Sequence, residues 1–265
     1  MPTPILLPRI LVTNDDGIDS PGIKILIDVA KEFAKEIWVI APSREKSGAG
    51  QSISLCDSVR CAPQGEKRWA IDGTPCDCVA LALGHFMAKA KPSLVLSGVN
   101  PGANIGDEVN MSGTIGAAFT ALMLDVPAIA ISQACVSHDK APWDTTRTIL
   151  PKVLQSLLSE GWRKDTCLSV NIPDLPTDDI SGFSWARQSL KSMESIVVEK
   201  RTSPRQEDYF WLSLKRKTPV STPNSEAAIL RRKEVAVTVL ALDRSLDTTK
   251  PSVSFSESDP LADDE

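Results

Sequence analysis

Ile10-Leu11-Val12-Thr13-Asn14-Asp15-Asp16-Gly17, followed by Ser20-Pro21-Gly22, is the stretch on which the reading of this chain turns. A short apolar run of β type ends in two adjacent carboxylates and a glycine, and apolar residues then recur at helical spacing. In open α/β sheets, ligands bind where strands end and helices begin. Two neighbouring carboxylates repel each other and resist desolvation unless a cation neutralises them, so the pair points to a hard divalent metal held by oxygen. The competing reading of the same residues is a solvated acidic turn that caps a helix, because Asn, Asp and Gly are ordinary turn residues.

Outward from this turn, strands and helices alternate. Arg9–Thr13 reads as a buried strand and Pro21–Lys35 as an amphipathic helix, with Ser20 at the N-cap and Pro21 at the first helical position. Glu36–Ala41 is a second strand, Pro75–Lys89 a helix, Leu94–Ser97 a strand, Gly98–Gly113 a glycine-rich loop, Thr114–Leu124 a helix and Ala128–Ser132 a strand. Thr145–Glu160 reads as a helix interrupted at Pro151, and Leu168–Ile172 as a strand. This alternation implies parallel pairing and a doubly wound, mostly parallel α/β sheet. Beyond Asp174, short β-like pieces alternate with polar, proline-bearing loops, which reads as an antiparallel β extension serving as a lid or an oligomerisation arm. The expected organisation is a catalytic core over 1–173, a β-rich extension completing the fold over 174–243, and an acidic, disordered tail over 244–265.

At 265 residues, 42% hydrophobic and 24% charged, the chain is long enough for one substantial core. Twenty-nine basic against 34 acidic residues give a net charge of -5, which argues against a nucleic-acid polymer as partner. No apolar run reaches membrane-spanning length, and Met1-Pro2-Thr3-Pro4 does not open a signal peptide, so the expected location is cytoplasmic, with no membrane partner. Six cysteines show no paired C-x-x-C units and read as free thiols. With only His85 and His138 available, a His-rich zinc site is excluded and oxygen ligands are favoured. His138 falls in a polar loop near the expected active-site face; His85 reads as a packing or surface residue of the Pro75–Lys89 helix.

Two further loops belong at the same sheet edge. Ser43–Gly50 offers hydroxyls, cations and glycines, and Ser97–Asp107 leads through Met111 into Ser112-Gly113-Thr114 at the mouth of a helix. Backbone N–H groups at such a mouth make an anion site, although Ser112 could equally be only an N-cap. Neither loop carries the P-loop spacing or the dinucleotide G-x-G-x-x-G, which argues against a dehydrogenase. Carboxylates on one loop and an anion cradle on another suggest metal-assisted chemistry on a phosphoryl group.

Four segments together, Asn14–Gly22, Ala41–Gly48, Asp72–Val79 and Ser97–Thr114, resemble the survival protein SurE family of metal-dependent phosphatases. The resemblance implies a Rossmann-like core and hydrolysis of nucleoside 5′-monophosphates by metal-activated water, with 3′-monophosphates and short polyphosphate as further substrates. It implies one divalent cation, Mg²⁺ or Mn²⁺, held by Asp15, Asp16, Ser47 and Asn100, with Asp15 or Asp16 as base. It implies phosphate contacts at Asn14, Gly48, Asn104, Ser112, Gly113 and Thr114, and a homodimer or homotetramer built through the C-terminal arm. Two departures stand out: Met111 occupies a position where family members often carry an aromatic, and Pro223-Asn224-Ser225-Glu226 lies where a Gly-Thr-Asp element is usual. The rival readings are an aspartyl-phosphate mechanism and a non-catalytic nucleotide-binding protein using the same cleft.

Overall fold

The computed structural model describes residues 5–220 and 222–245, so all but the first two residues of the expected acidic tail lie outside it. β1 (Leu7–Thr13), α1 (Pro21–Ala30) and β2 (Ala34–Pro42) form the first β-α-β unit. The hairpin β3 (Cys61–Gly65) and β4 (Arg68–Ile71) then leads through α2 (Pro75–Leu81) to β5 (Leu94–Pro101). α3 (Gly113–Met123), β6 (Ala128–Gln133), α4 (Trp143–Glu160) and β7 (Thr166–Ile172) continue the alternation. The last part holds β8 (Gly182–Ala186), the hairpin β9 (Met193–Thr202) and β10 (Asp208–Arg216), α5 (Glu226–Arg231) and β11 (Glu234–Ala241).

Nine strands form one sheet in the order β3-β4-β2-β1-β5-β6-β7-β11-β8, and β9 and β10 form a separate two-stranded sheet. The doubly wound α/β class read from the sequence is therefore correct. All neighbours from β4 through β7 run parallel, while β11 is antiparallel to β7 and parallel to β8. The chain winds from β1 to β2 and β4, then returns to place β5 on the other side of β1. That reversal puts the topological switch point between β1 and β5, where Thr13 pairs with Ser97.

Both faces of the sheet are covered, which is why the central strands read as unbroken apolar runs. Ile10 and Val12 enter the core packed by α1 and α4, and Leu11 enters the core packed by α2 and α3. α3 is buried along nearly its whole length, and its small residues let it lie close to its neighbours. A Cβ at Gly116 would stand 2.0 Å from the Gly50 carbonyl oxygen, so only glycine allows the second loop to rest on this helix.

Several local expectations change. α1 stops at Ala30 rather than Lys35, because Leu7 and Ala34 pair at the start of the β1–β2 ladder and the Leu7 N–H reaches the Phe33 carbonyl. The helix from Pro75 is α-helical only to Leu81 and closes in a π turn, Ala82–Phe86. Pro151 does not interrupt α4, which runs unbroken through it, forfeiting a single backbone hydrogen bond. β5 runs on to Pro101, where a loop is expected, by way of a bulge: Ser97 pairs with Ala130 but Asn100 with Ser132.

Candidate active site

Three loops meet beyond the carboxyl ends of β1, β2 and β5, and the backbone stitches them together. The Lys46 N–H donates to the Asp15 carbonyl at 2.7 Å, and the Gly50 N–H to the Met111 carbonyl at 3.0 Å.

In the first loop Asn14 is fully buried, and its Nδ2 donates to the Gly17 carbonyl and to Ser20 Oγ, each at 2.9 Å. Ser20 stands at the N-cap of α1 but its hydroxyl caps nothing there. Asp15 accepts a 2.6 Å hydrogen bond from Thr114 Oγ1, and the Gly113 and Thr114 amides at the start of α3 also face its carboxylate. The positive end of that helix is thus engaged by the protein's own carboxylate. Gly113 is a close-approach position, since a Cβ there would lie 2.8 Å from Asp15 Cβ. Burial still raises the pKa of Asp15 above the ordinary carboxylate range. Burial, then the charges of Asp15 and Glu45, push Asp16 up to about 8. Asp16 Oδ2 is buried with no hydrogen-bond partner among the described residues.

The second loop brings Ser47, whose Oγ donates to Glu45 Oε1 at 2.9 Å, and Gly48. In the third, Asn100 Nδ2 donates to the Gly102 carbonyl at 2.7 Å, which leaves its Oδ1 without a hydrogen bond among the described residues. Asn104 is clamped from β6 and β7: its N–H donates to Asn171 Oδ1 at 2.8 Å and its Nδ2 to Ser132 Oγ at 2.9 Å. Ser112 caps α3, accepting from the Ile115 N–H at 3.2 Å.

Asp15, Ser47, Gly48, Asn100, Asn104 and Ser112 line one pocket of about 150 Å³. Asp16 lines an adjoining cavity with Glu45, Pro101 and His138. Asn14 and Thr114 are fully buried and, with Gly113, line neither cavity; they brace the first loop instead. Sequence reading missed Glu108, Leu214 and Arg216, which also line the pocket, and the clamp residues Ser132 and Asn171. Leu214 and Arg216 arrive on β10, and no local pattern marks a strand of an exposed hairpin as an active-site wall. Asp77 caps α2 in a capping box and accepts from Ser54 N, Ser54 Oγ and Thr74 N, each at 2.8 Å.

The donors fit a hard cation. They are all oxygen, two are carboxylates that burial and mutual repulsion leave short of positive charge, and Asp16 Oδ2 and Asn100 Oδ1 are unclaimed. Among the described residues no cluster of three or more His, Cys, Asp or Glu side chains is arranged for a metal. A cation here would therefore depend on two aspartates supplemented by neutral oxygens.

Comparison with known proteins places this arrangement. The Survival protein SurE family matches residues 10–195. The chain belongs to the SurE family. A relative named 5'-nucleotidase SurE 1, from Burkholderia lata, is 42% identical over 242 residues, covering 91% of this chain and 93% of its own. A 5'-nucleotidase SurE from Bradyrhizobium diazoefficiens is 37% identical, covering 89% of this chain and 94% of its own. The crystal structure of the SurE protein from Aquifex aeolicus aligns with a TM-score of 0.76 at 30% identity, over 90% of this chain and 95% of that one. The SurE match spans the β1, β2 and β5 loops and ends within the hairpin, so the pocket's first three walls lie inside it and Leu214 and Arg216 beyond it.

Proposed function

We propose that this chain is a 5′-nucleotidase that hydrolyses nucleoside 5′-monophosphates, with 3′-monophosphates and short polyphosphate inside the same reach. The carrying observation is the Asp15–Asp16 pair, Asp15 buried and Asp16 half-buried, short of positive charge, beside a pocket lined by Ser47, Asn100, Asn104 and Ser112. The relatives named 5'-nucleotidase SurE support the reading. Asp15, Asp16, Ser47 and Asn100 would hold one divalent cation, Mg²⁺ or Mn²⁺. When bound, the cation supplies charge neutralisation and Lewis acidity toward water and the phosphoryl oxygens.

The remaining roles belong to the chain. Asp15 is a fixed ligand, oriented by Thr114 and the α3 amides. Asp16 takes a proton from the attacking water as the water oxygen bonds to phosphorus and the ester P–O bond breaks. Gly48, Asn104 and Ser112 meet the phosphoryl oxygens, with Asn104 held in place by Ser132 and Asn171. Asn14, Gly113 and Thr114 act on phosphate through the first loop.

We also propose that a second copy of the chain covers the β9–β10 hairpin, giving a homodimer or homotetramer. Val198, Phe210 and Leu212 share one face of it by register and are 59%, 58% and 69% exposed. Leu212→Glu should lower the mass measured by light scattering. The core at 1–173 and the extension at 174–243 remain a proposed division, with β8 and β11 completing the sheet. Six unpaired cysteines suit a reducing compartment, and the proposed location is the cytoplasm; no described helix is long and apolar enough to cross a membrane. The test is phosphate release from nucleoside monophosphates and p-nitrophenyl phosphate, with chelator and with Mg²⁺ or Mn²⁺ restored, against Asp15→Asn. Metal-dependent release that falls at least about 100-fold in the variant supports the proposal. Nucleotide binding without any release sinks it in favour of a non-catalytic binder.

A further inference from the structure

A second cavity, about 340 Å³, adjoins the phosphate pocket. The two share Gly102, Ala103, Glu108, His138 and Arg216, so whatever is esterified to a phosphoryl group in the first has the second to enter. The new walls are partly apolar, from Ile105, Val136 and Pro219, and Lys217 stands among them. The cationic side is the informative one. Arg216 reaches Glu108 through Nε and Nη2 at 2.8–3.0 Å, and its Nη1 makes no hydrogen bond among the described residues. Glu108 is nearly buried, so the pair holds the guanidinium in one place and leaves one edge of it free. Among the described residues Glu108 is the only carboxylate lining this cavity and is already matched by Arg216, whereas Lys217 has no ion pair. Burial raises the Cys135 thiol, with Asp174 and Asp139 adding to it, and neither aspartate lines this cavity.

A wall meant for an uncharged nucleoside has no use for an uncompensated ammonium beside a tethered guanidinium. We infer that this cavity receives the leaving group, and that Arg216 and Lys217 select a nucleoside carrying a second phosphate, so that nucleoside bisphosphates are better substrates than monophosphates. The inference rests on the phosphatase reading above and deepens it. The bond broken is still one phosphomonoester P–O bond; the second phosphate is only held, by the free edge of Arg216 and by Lys217. The apolar walls contact the nucleoside body.

The test compares initial phosphate release from adenosine 3′,5′-bisphosphate and adenosine 5′-monophosphate as a ratio of kcat/KM, so that general losses cancel. One exposed cation near a phosphate is worth up to about tenfold, and with two of them the wild-type ratio should reach at least that much. Lys217 is exposed, so Lys217→Ala and Lys217→Glu test the charge without touching the core. The first should lower the ratio by up to about tenfold and the second further. Glu108→Gln with Arg216→Gln, which replaces the ion pair by neutral amides, should also lower it. A wild-type ratio at or below one, a ratio unmoved by Lys217→Glu, or tripolyphosphate matching the bisphosphate would overturn the inference. Silence from both nucleotides and from p-nitrophenyl phosphate would instead refute the phosphatase reading and the inference with it.

Discussion

Thr114→Val separates a positioning role from a phosphate-binding one. Thr114 is fully buried, and its hydroxyl donates to Asp15 Oδ1 at 2.6 Å. Valine keeps the volume and removes only the donor, while the Gly113 and Thr114 amides stay in place. A hydrogen bond to a charged group is worth about 1.5–3 kcal/mol, and a tenfold change corresponds to about 1.4 kcal/mol. Losing it therefore tips Asp15 toward its protonated form by about 10- to 100-fold. Burial has already raised the pKa of Asp15, so the proton competes more strongly with the cation in the variant than in the wild type. The half-saturating Mg²⁺ concentration for phosphate release should rise in the variant, by up to about 10- to 100-fold where the proton competes fully. The gap should close as the pH climbs and the proton ceases to compete. Thr114→Ser, which keeps the hydroxyl, should behave as wild type. Equal Mg²⁺ midpoints for wild type and Thr114→Val at every pH from 5 to 9 would refute the reasoning, and so would a gap that stays constant across that range.

Asp16 gives a pH-linked stability effect of the opposite sign to an ordinary paired carboxylate. Its pKa is raised in the fold from 3.8 to about 8, so in chelator its ionisation removes stability as pH rises through that window. Asp16→Asn should melt above wild type in chelator, with the gap widening from pH 5 to pH 9; a constant gap would contradict this. Gly116→Ala drives a Cβ to within 2.0 Å of the Gly50 carbonyl oxygen and should cost about 1–3 kcal/mol by chemical denaturation, whereas Gly84→Ala meets nothing within 4 Å and should cost less than half as much. Asp77→Ala removes the capping box and the three donors it serves, for a loss of about 1–2 kcal/mol in calorimetry. Burial works against the Asp77 charge, but the Ser54 and Thr74 hydrogen bonds prevail and hold its pKa low. That stabilisation is present above the ordinary carboxylate pKa and is lost in acid, so wild type and Asp77→Ala should converge as the pH falls below 3.8.

The β1–turn–α1 unit was legible because its signals are local: an apolar run buried on both faces, an acidic turn and a proline at the first helical position. What the sequence could not show came from pairing at a distance. Gly98 reads as the start of a loop, yet β5 continues past it because Asn100 and Pro101 find partners in Ser132 and Gln133 on β6. The ladder bond between Leu7 and Phe33 likewise ends α1 sooner than its apolar spacing suggests. In the site, Thr114 meets Asp15 across 99 residues and Arg216 meets Glu108 across 108, separations over which no sequence window carries information.

The Ser112-Gly113-Thr114 segment shows that a helix mouth can already face an anion of the protein itself. A helix mouth with free amides attracts an anion, and this one does, but the anion that faces it is Asp15. That changes what the rest of the pocket must supply. With the α3 amides facing Asp15, phosphate is left with neutral donors from Asn104, Ser112 and Gly48 and with Arg216, whose charge Glu108 already matches, beside the Asp15–Asp16 pair that repels it. Neutral hydrogen bonds of roughly 0.5–1.5 kcal/mol each do not outweigh that repulsion in a partly buried site. On the proposed reading the cation serves substrate binding as well as bond breaking, and chelation should abolish inorganic phosphate binding along with turnover. Because Thr114 and the α3 amides fix Asp15 before any ligand arrives, the charge that recruits the cation is already oriented.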